Sequence, residues 1–325
     1  MRTFFSTHWK SILVLVILVL VAVFTMTPGA ARPDLAARLR AHVVAIATGD
    51  HDSADPARRE AAARHIEAAL AAQGYTVRQQ QYKAGGQRVR NIEVSVANVA
   101  PDARPDRIFI VGAHYDPAPD SPAADDSGSG AAAVLELARL LRQMQPAQGT
   151  EVKFVFFVNE EPPWFLGEQA GSLRHRLALP HARHGVGGAP GSEAADGTIA
   201  QVRAGRLPAS GLEAQYPESG NFIAFAGTRA ASALVRQALA AFRSDADSEA
   251  EGLASPSYVE GVTLSDHASG NRAGDPALMI TDTAFLRYPY FHTQDSDDKL
   301  DYEGMARVVK GLARTIGALA GGTRM

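Results

Sequence analysis

The chain has no cysteine among its 325 residues. That excludes disulfides, thiolate zinc sites, iron–sulfur clusters, cysteine nucleophiles and a lipidated N-terminal cysteine. Any metal has to be held by His, Asp and Glu. The missing thiols leave an oxidising compartment open. An excess of one charge is lacking too: 32 Lys and Arg stand against 35 Asp and Glu, a formal charge of −3. A protein that neutralises phosphates would show a basic excess, so no nucleic-acid partner is expected. Hydrophobic residues make up 46% and charged residues 21%, ordinary globular usage that argues against wholesale disorder.

The N-terminus departs from this even composition. Arg2, His8 and Lys10 precede an unbroken apolar run from Ile12 to Phe24, followed by the small-residue stretch Thr25–Ala31. A basic start, a short apolar run and small residues describe a secretory signal peptide. The run is shorter than the ~20 residues that span a bilayer as a helix. Counting residues 12–26 makes it a short signal-anchor instead. Residues 1–31 are therefore expected to act as one or the other, with membrane anchoring through residues 12–26 in the second case. The basic flank predicts residues 34–325 on the outer side, whether periplasmic, extracellular or membrane-anchored.

From Asp34 on, helical and strand-like segments alternate. Asp34–Ala47 and Asp55–Gln73 have helical spacing, each opening on an Asp able to cap it. Tyr75–Tyr82 and Val89–Asn98 alternate like exposed strands. Arg107–Gly112 and Glu151–Asn159 are apolar, β-branched runs that read as buried strands, with a helix over Gly128–Gln143 between them. Asn221–Ala226, Ala230–Arg243, Ala277–Thr283 and Tyr302–Leu319 continue the alternation. The pattern predicts a mixed, largely parallel sheet with helices on both faces. Arg58, Arg59 and Arg64 alternate with alanines and read as a solvated helix face. Only Pro180–Gly211, rich in Gly, Ala, Pro and Arg, looks irregular.

In open α/β sheets, sites form just past the carboxyl ends of strands. Ala113-His114-Tyr115-Asp116 follows the first buried run, and Glu160-Glu161 follows the second. Asp125 and Asp126 open the helix between them, and His292 follows the later strand. Each has a bland alternative: a loop histidine, helix N-caps, a solvated turn. Together they point elsewhere. Adjacent carboxylates beside Trp164 and Phe165 repel one another, and a bound cation removes the conflict. An oxygen-and-imidazole donor set suits zinc in a hydrolytic site. One carboxylate bridging two cations would give the two-metal arrangement of aminopeptidases.

The ordered motifs GAHYD (Gly112–Asp116), ADDSGSG (Ala124–Gly130), FVFFVNEE (Phe154–Glu161), SDH (Ser265–His267) and FHTQDSDDKLDY (Phe291–Tyr302) resemble peptidase family M28. This is a family of secreted and membrane-anchored di-zinc aminopeptidases that also includes glutamate carboxypeptidases and glutaminyl cyclases. The resemblance runs from about residue 34 to 325. It implies a single zinc peptidase domain with a three-layer α/β fold and a mixed sheet of about eight strands. It implies two zinc ions per chain and peptide substrates. Residue by residue, His114 matches a ligand of one zinc, Asp126 the bridging carboxylate, and Glu161 and His292 ligands of the other. Glu160 matches the general base. Asp116 matches an acid that orients His114, and Asp266 and His267 lie where the family lines its pocket.

One ligand has no clear counterpart. The family supplies a further carboxylate to the His114 metal from the end of an apolar strand about thirty residues past the Glu pair. Glu193 falls at that spacing, with Asp196 second, but Gly, Pro and Ser replace the β-branched run, and Pro190 argues against a central strand. Glu193 coordinates from a loop, or the second metal is weak or absent, or residues 180–211 are an irregular insert or a disturbed stretch of reading frame. The implied activity is that of an exported zinc exopeptidase, an aminopeptidase using metal-activated water. A glutaminyl cyclase-like acyltransferase and a non-catalytic ectodomain of the same fold are the alternatives. Oligomeric state is left open.

Overall fold

Helices α1 (Leu35–Ala47) and α2 (Pro56–Ala72) come first, and Gly74 breaks the second at φ +83°, a conformation glycine reaches without steric cost. The computed structural model describes residues 33–47, 56–118, 120–179, 192–198, 222–244, 250–255, 263–282 and 295–322. A hairpin of β1 (Arg78–Ala84) and β2 (Gln87–Asn98) follows α2. Then come β3 (Arg107–His114), a π-helical turn over Ala124–Ser129, α3 (Gly130–Leu141) and β4 (Thr150–Phe157). Next are α4 (Gly171–Ala178), β5 (Ser192–Thr198), β6 (Ile223–Thr228) and α5 (Ser232–Arg243). The last are β7 (Ala250–Ser255), α6 (His267–Arg272), β8 (Ala277–Thr281) and α7 (Tyr302–Leu319).

The sheet order is β1-β2-β4-β3-β5-β8-β6-β7. The expected eight strands share one order, but they divide into two portions rather than forming one uniform sheet. A four-stranded portion, β1-β2-β4-β3, and a three-stranded portion, β8-β6-β7, are joined only through β5. The pairing is also less uniformly parallel than expected. β3 pairs in parallel with β4 and β5, as do β5 with β8 and β6 with β7, while β1–β2, β2–β4 and β6–β8 are antiparallel.

β3 shows why both faces are covered. Its residues alternate between two cores: Phe109, Val111 and Ala113 join the main cluster, while Ile108 and Ile110 pack with Val155, Phe157 and Leu179. A parallel strand buried on both faces reads as a continuous apolar run, as this one does. Helices α1, α2, α3, α5 and α7 cover the first face; α4 and α6 lie on the second, linked by the Ser172–Ser269 hydroxyl pair at 2.8 Å. The start of α3 is buried all round because it is sandwiched between sheet and outer helices, and Ala131, Ala132 and Ala133 permit that close approach. In α7, Asp301 accepts from the Gly304 N–H at 2.9 Å as N-cap, and Met305, Val308, Val309 and Leu312 form the buried stripe.

Two local expectations fail. Residues 192–198 pair as a strand although their composition and Pro190 argue for a loop. Pro190 precedes these residues in the sequence and lies outside the described ones, and parallel neighbours on both sides hold the 192–198 backbone extended. Arg58 is buried rather than solvated: it donates to the carbonyls of Ala47 (3.0 Å), Ser121 (2.9 Å) and Pro122. Alternation with alanine misreads it because the carbonyls that receive it come from the end of α1 and from the loop at Ser121 and Pro122. Among the described residues no helix is long and apolar enough to cross a membrane; the run at 12–26 lies outside them.

Candidate metal centre

β3 and β4 run side by side with His114 opposite Phe157, so the residues just past both strands meet at one edge. At the end of β4, Asn159 takes φ +63°, a left-handed conformation that asparagine tolerates better than most residues, and the chain turns there into Glu160 and Glu161. Asp116 fastens the two ends together. Its carboxylate accepts from the N–H groups of Glu160 and Glu161, each at 3.2 Å. His114, Glu160 and Glu161, all buried, thereby offer donor atoms within 4.8 Å of one another.

The third contributor comes from the π-helical turn. Asp126 has φ −109° and ψ 92°, off the helical path, and its Oδ1 lies 2.9 Å from His114 Nε2. Ala123, just before the turn, is held at φ 61°. Arg58 braces this loop through the Ser121 and Pro122 carbonyls. Asp295 braces the turn itself, accepting from the N–H groups of Asp125 and Asp126, the latter at 3.0 Å.

His114 Nδ1 lies 3.2 Å from the carbonyl of Asp116. A carbonyl only accepts, so Nδ1 carries the proton and Nε2 is the ring atom presented to the site. The acid expected to orient His114 thus does so through its main chain, while its side chain holds the Glu pair. The charges show the strain of the arrangement. Burial disfavours the charged imidazolium, yet Glu160, Asp126 and Asp116 outweigh it and raise the His114 pKa well above its ordinary value. Burial raises Glu160 strongly, and the charges of Asp266, Glu161 and Asp126 add to it, against the pull of His114. Burial likewise raises Asp116. Carboxylates that hold protons this firmly would be relieved by a cation.

Of the residues expected from sequence, His114, Asp116, Asp126, Glu160 and Glu161 converge. His292 lies outside the described residues. Glu193 pairs in register with Phe109, five positions before His114, which is about 16 Å along a strand. Asp196, opposite Gly112, stands nearer the level of the site. Asp295 was not singled out from sequence. Its only signal was an acid within FHTQDSDDKLDY, three residues past His292.

The sequence profile described as Peptidase family M28 matches residues 95–189. The Escherichia coli (strain K12) protein YfbL is 35% identical over 268 residues, covering 77% of each chain. Leucine aminopeptidase 1 of Arthroderma otae is 26% identical over 223 residues, covering 66% of this chain but only 54% of its own. Among solved structures, an aminopeptidase from Aneurinibacillus sp. strain AM-1 shares the fold with a TM-score of 0.64 at 15% identity, over 87% of this chain and 93% of that one. A Bacteroides thetaiotaomicron glutaminyl cyclase shares it with a TM-score of 0.60 at 18% identity, over 87% and 98%. The mixed α/β fold is thus that of zinc aminopeptidases and their structural neighbours, and the chain belongs to peptidase family M28.

Proposed function

We propose that the chain is an exported zinc-dependent exopeptidase, an aminopeptidase that hydrolyses the N-terminal bond of peptides. The observation that carries this reading is the convergence of His114, Glu160 and Glu161 from two strand ends into one buried donor group, with Asp126 on the imidazole. Imidazole and carboxylates without thiol are a fitting donor set for zinc at a hydrolytic centre. His114, Asp126 and Glu161 would hold the metal, with His292 as a further ligand. Two ions are the family's arrangement; the second would draw on a carboxylate near β5, and it is the weaker one. The export of residues 34–325 rests on the apolar run at 12–24.

Zinc at such a centre supplies Lewis acidity, polarising the scissile carbonyl and making water acidic enough to attack near neutral pH. The chain's own residues do the rest. The Asp116 carbonyl fixes the His114 tautomer, as partners of ligating histidines generally do. The Asp116 carboxylate holds the Glu160 main chain, and Glu160 takes the proton from the attacking water and returns it to the leaving amine.

Glu160→Gln tests the reading. On an aminoacyl-nitroanilide, kcat should fall roughly 10²–10⁴-fold while elemental analysis still finds zinc. Near wild-type turnover with zinc bound would remove Glu160 from the role of base. A second reading, a glutaminyl cyclase, is favoured by the single donor group among the described residues and by the cyclase neighbour. Cyclisation of an N-terminal glutaminyl peptide without nitroanilide hydrolysis would select it.

A further inference from the structure

A pocket of about 500 Å³ opens between the first turn of α2 and the start of β2, with Arg59, Glu60, Gln87, Arg88, Arg90 and Tyr115 in its lining. It adjoins the metal centre. β2 runs antiparallel to β4 with Ile92 opposite Phe156, so Gln87–Arg90 lie at the edge where β4 ends and the Glu pair begins. Tyr115 directly follows His114, and its hydroxyl donates to the Arg90 carbonyl at 2.6 Å. Successive strand residues face opposite sides, so the pocket flanks the strand ends on the α2 side.

Its charges are unevenly matched. Arg90 is neutralised by Glu60 at 2.6 Å and Glu67 at 2.7 Å, and Glu60 also faces Arg64 at 3.8 Å. Arg59 donates only to the neutral Gln87 side chain among the described residues. Arg88 is exposed and makes no ion pair or side-chain hydrogen bond among them. Arg59 also lowers the pKa of Glu60 through its charge, but neither Arg59 nor Arg88 makes an ion pair among the described residues, and both guanidinium groups share one concavity. Guanidinium geometry favours planar oxyanions, and a concave site concentrates its field.

We propose that Arg59 and Arg88 form an oxyanion subsite that takes a peptide carboxylate downstream of the cleaved bond. The inference rests on the exopeptidase reading and deepens it: preferred substrates carry Asp or Glu a few residues past the scissile bond. A peptide is the favoured source of the oxyanion because the pocket opens beside the bond-breaking edge rather than on a remote face.

The test uses the zinc-loaded full chain and paired amidated peptides of the form Leu-(Ala)n-Glu and Leu-(Ala)n-Gln with n from one to three. For the best n, the acidic peptide should show kcat/KM about fivefold above its neutral twin, the worth of partly exposed ion pairs. The ratio should fall to about one in the Arg59→Ala/Arg88→Ala double variant and invert in Arg88→Glu. A ratio of one for every n in the wild type, or a ratio that survives the double variant, overturns the proposal. If no peptide is cleaved, the exopeptidase reading fails on its own, and calorimetry with the same pairs judges the subsite. Equal affinity for both twins overturns it there as well. Inorganic phosphate is the remaining arm: binding of phosphate without any acidic-peptide preference would give the pocket to a free oxyanion and overturn the peptide assignment.

Discussion

Asp116 and Asp295 each support the candidate metal centre, and both work through main-chain groups. Asp116 ties two strand ends together by accepting from Glu160 and Glu161, and its own carbonyl sets the ring of His114. Asp295 accepts from the N–H groups of Asp125 and Asp126, which keeps the off-helical Asp126 in place. Burial and the charge of Asp125 push the Asp295 pKa up to about 8 despite those two donors. Removing such a support commonly costs 10–100-fold in metal affinity. Asp295→Ala should therefore weaken zinc binding by that order in a competition titration against a zinc indicator. Unchanged affinity would mean that the turn holds Asp126 without it. The strand-end residues were legible in the sequence because each sits directly after an apolar run. Asp295 was not, since its partners are main-chain groups about 170 positions away.

Strands β3 and β4 and helix α7 carry their patterns openly: two apolar runs, and a stripe at helical spacing closed by an Asp cap. Helix α4 and strand β5 do not. α4 begins where the chain crosses β4, and Gly171 sits against the Val158 main chain and the Asn91 side chain. A β-carbon there would collide with the Val158 carbonyl and amide and with Asn91 Oδ1. The colliding atoms are mostly Val158 backbone, tied down by the Gly171 N–H on its carbonyl and by Asn91 Oδ1 on its N–H, so they have little freedom to yield. Gly171→Ala should cost about 1–3 kcal/mol, read as a lowered Tm in calorimetry. A Tm within a degree of wild type would show that α4 can shift outward. β5 owes its place to β3 and β8 on either side, since only the final Thr of Ser-Glu-Ala-Ala-Asp-Gly-Thr favours an extended chain.

A buried carboxylate, Glu136, and a half-buried one, Glu93, tie neighbouring elements together. Glu136 on α3 receives Arg38 at 3.0 Å and His42 at 3.2 Å from α1, and Arg139 at 2.6 Å. Glu93 on β2 receives His175 of α4 at 2.7 Å and Lys153 of β4 at 3.2 Å. Burial works against both charges, but their partners outweigh it and hold each pKa at about 2, below the ordinary 4.5. A carboxyl whose pKa falls on folding stabilises above its unfolded value and loses that contribution as pH drops through the folded one. Thermal stability should therefore decline between about pH 4.5 and pH 2. Glu136→Gln should lower stability at pH 7 by roughly 1–3 kcal/mol and flatten the acid decline. A variant with the wild-type slope of Tm against pH would show that Glu136 does not carry that dependence.

Local chemistry alone was enough to reveal the alternation of helices and strands and the acids and histidine at the strand ends, because apolar runs and the residues after them are written consecutively, and the ordered motifs carried the resemblance to the family. Folding added the rest: the bridging place of β5, the burial of Arg58, the double use of Asp116 and the reach of Asp295. Each depends on a partner supplied from elsewhere in the chain, and hydrogen bonds between distant segments leave no periodic trace in the text of either one. The pairing of Arg59 with Arg88 across one pocket is of the same kind, a helix turn and a strand start that meet only once the sheet has formed.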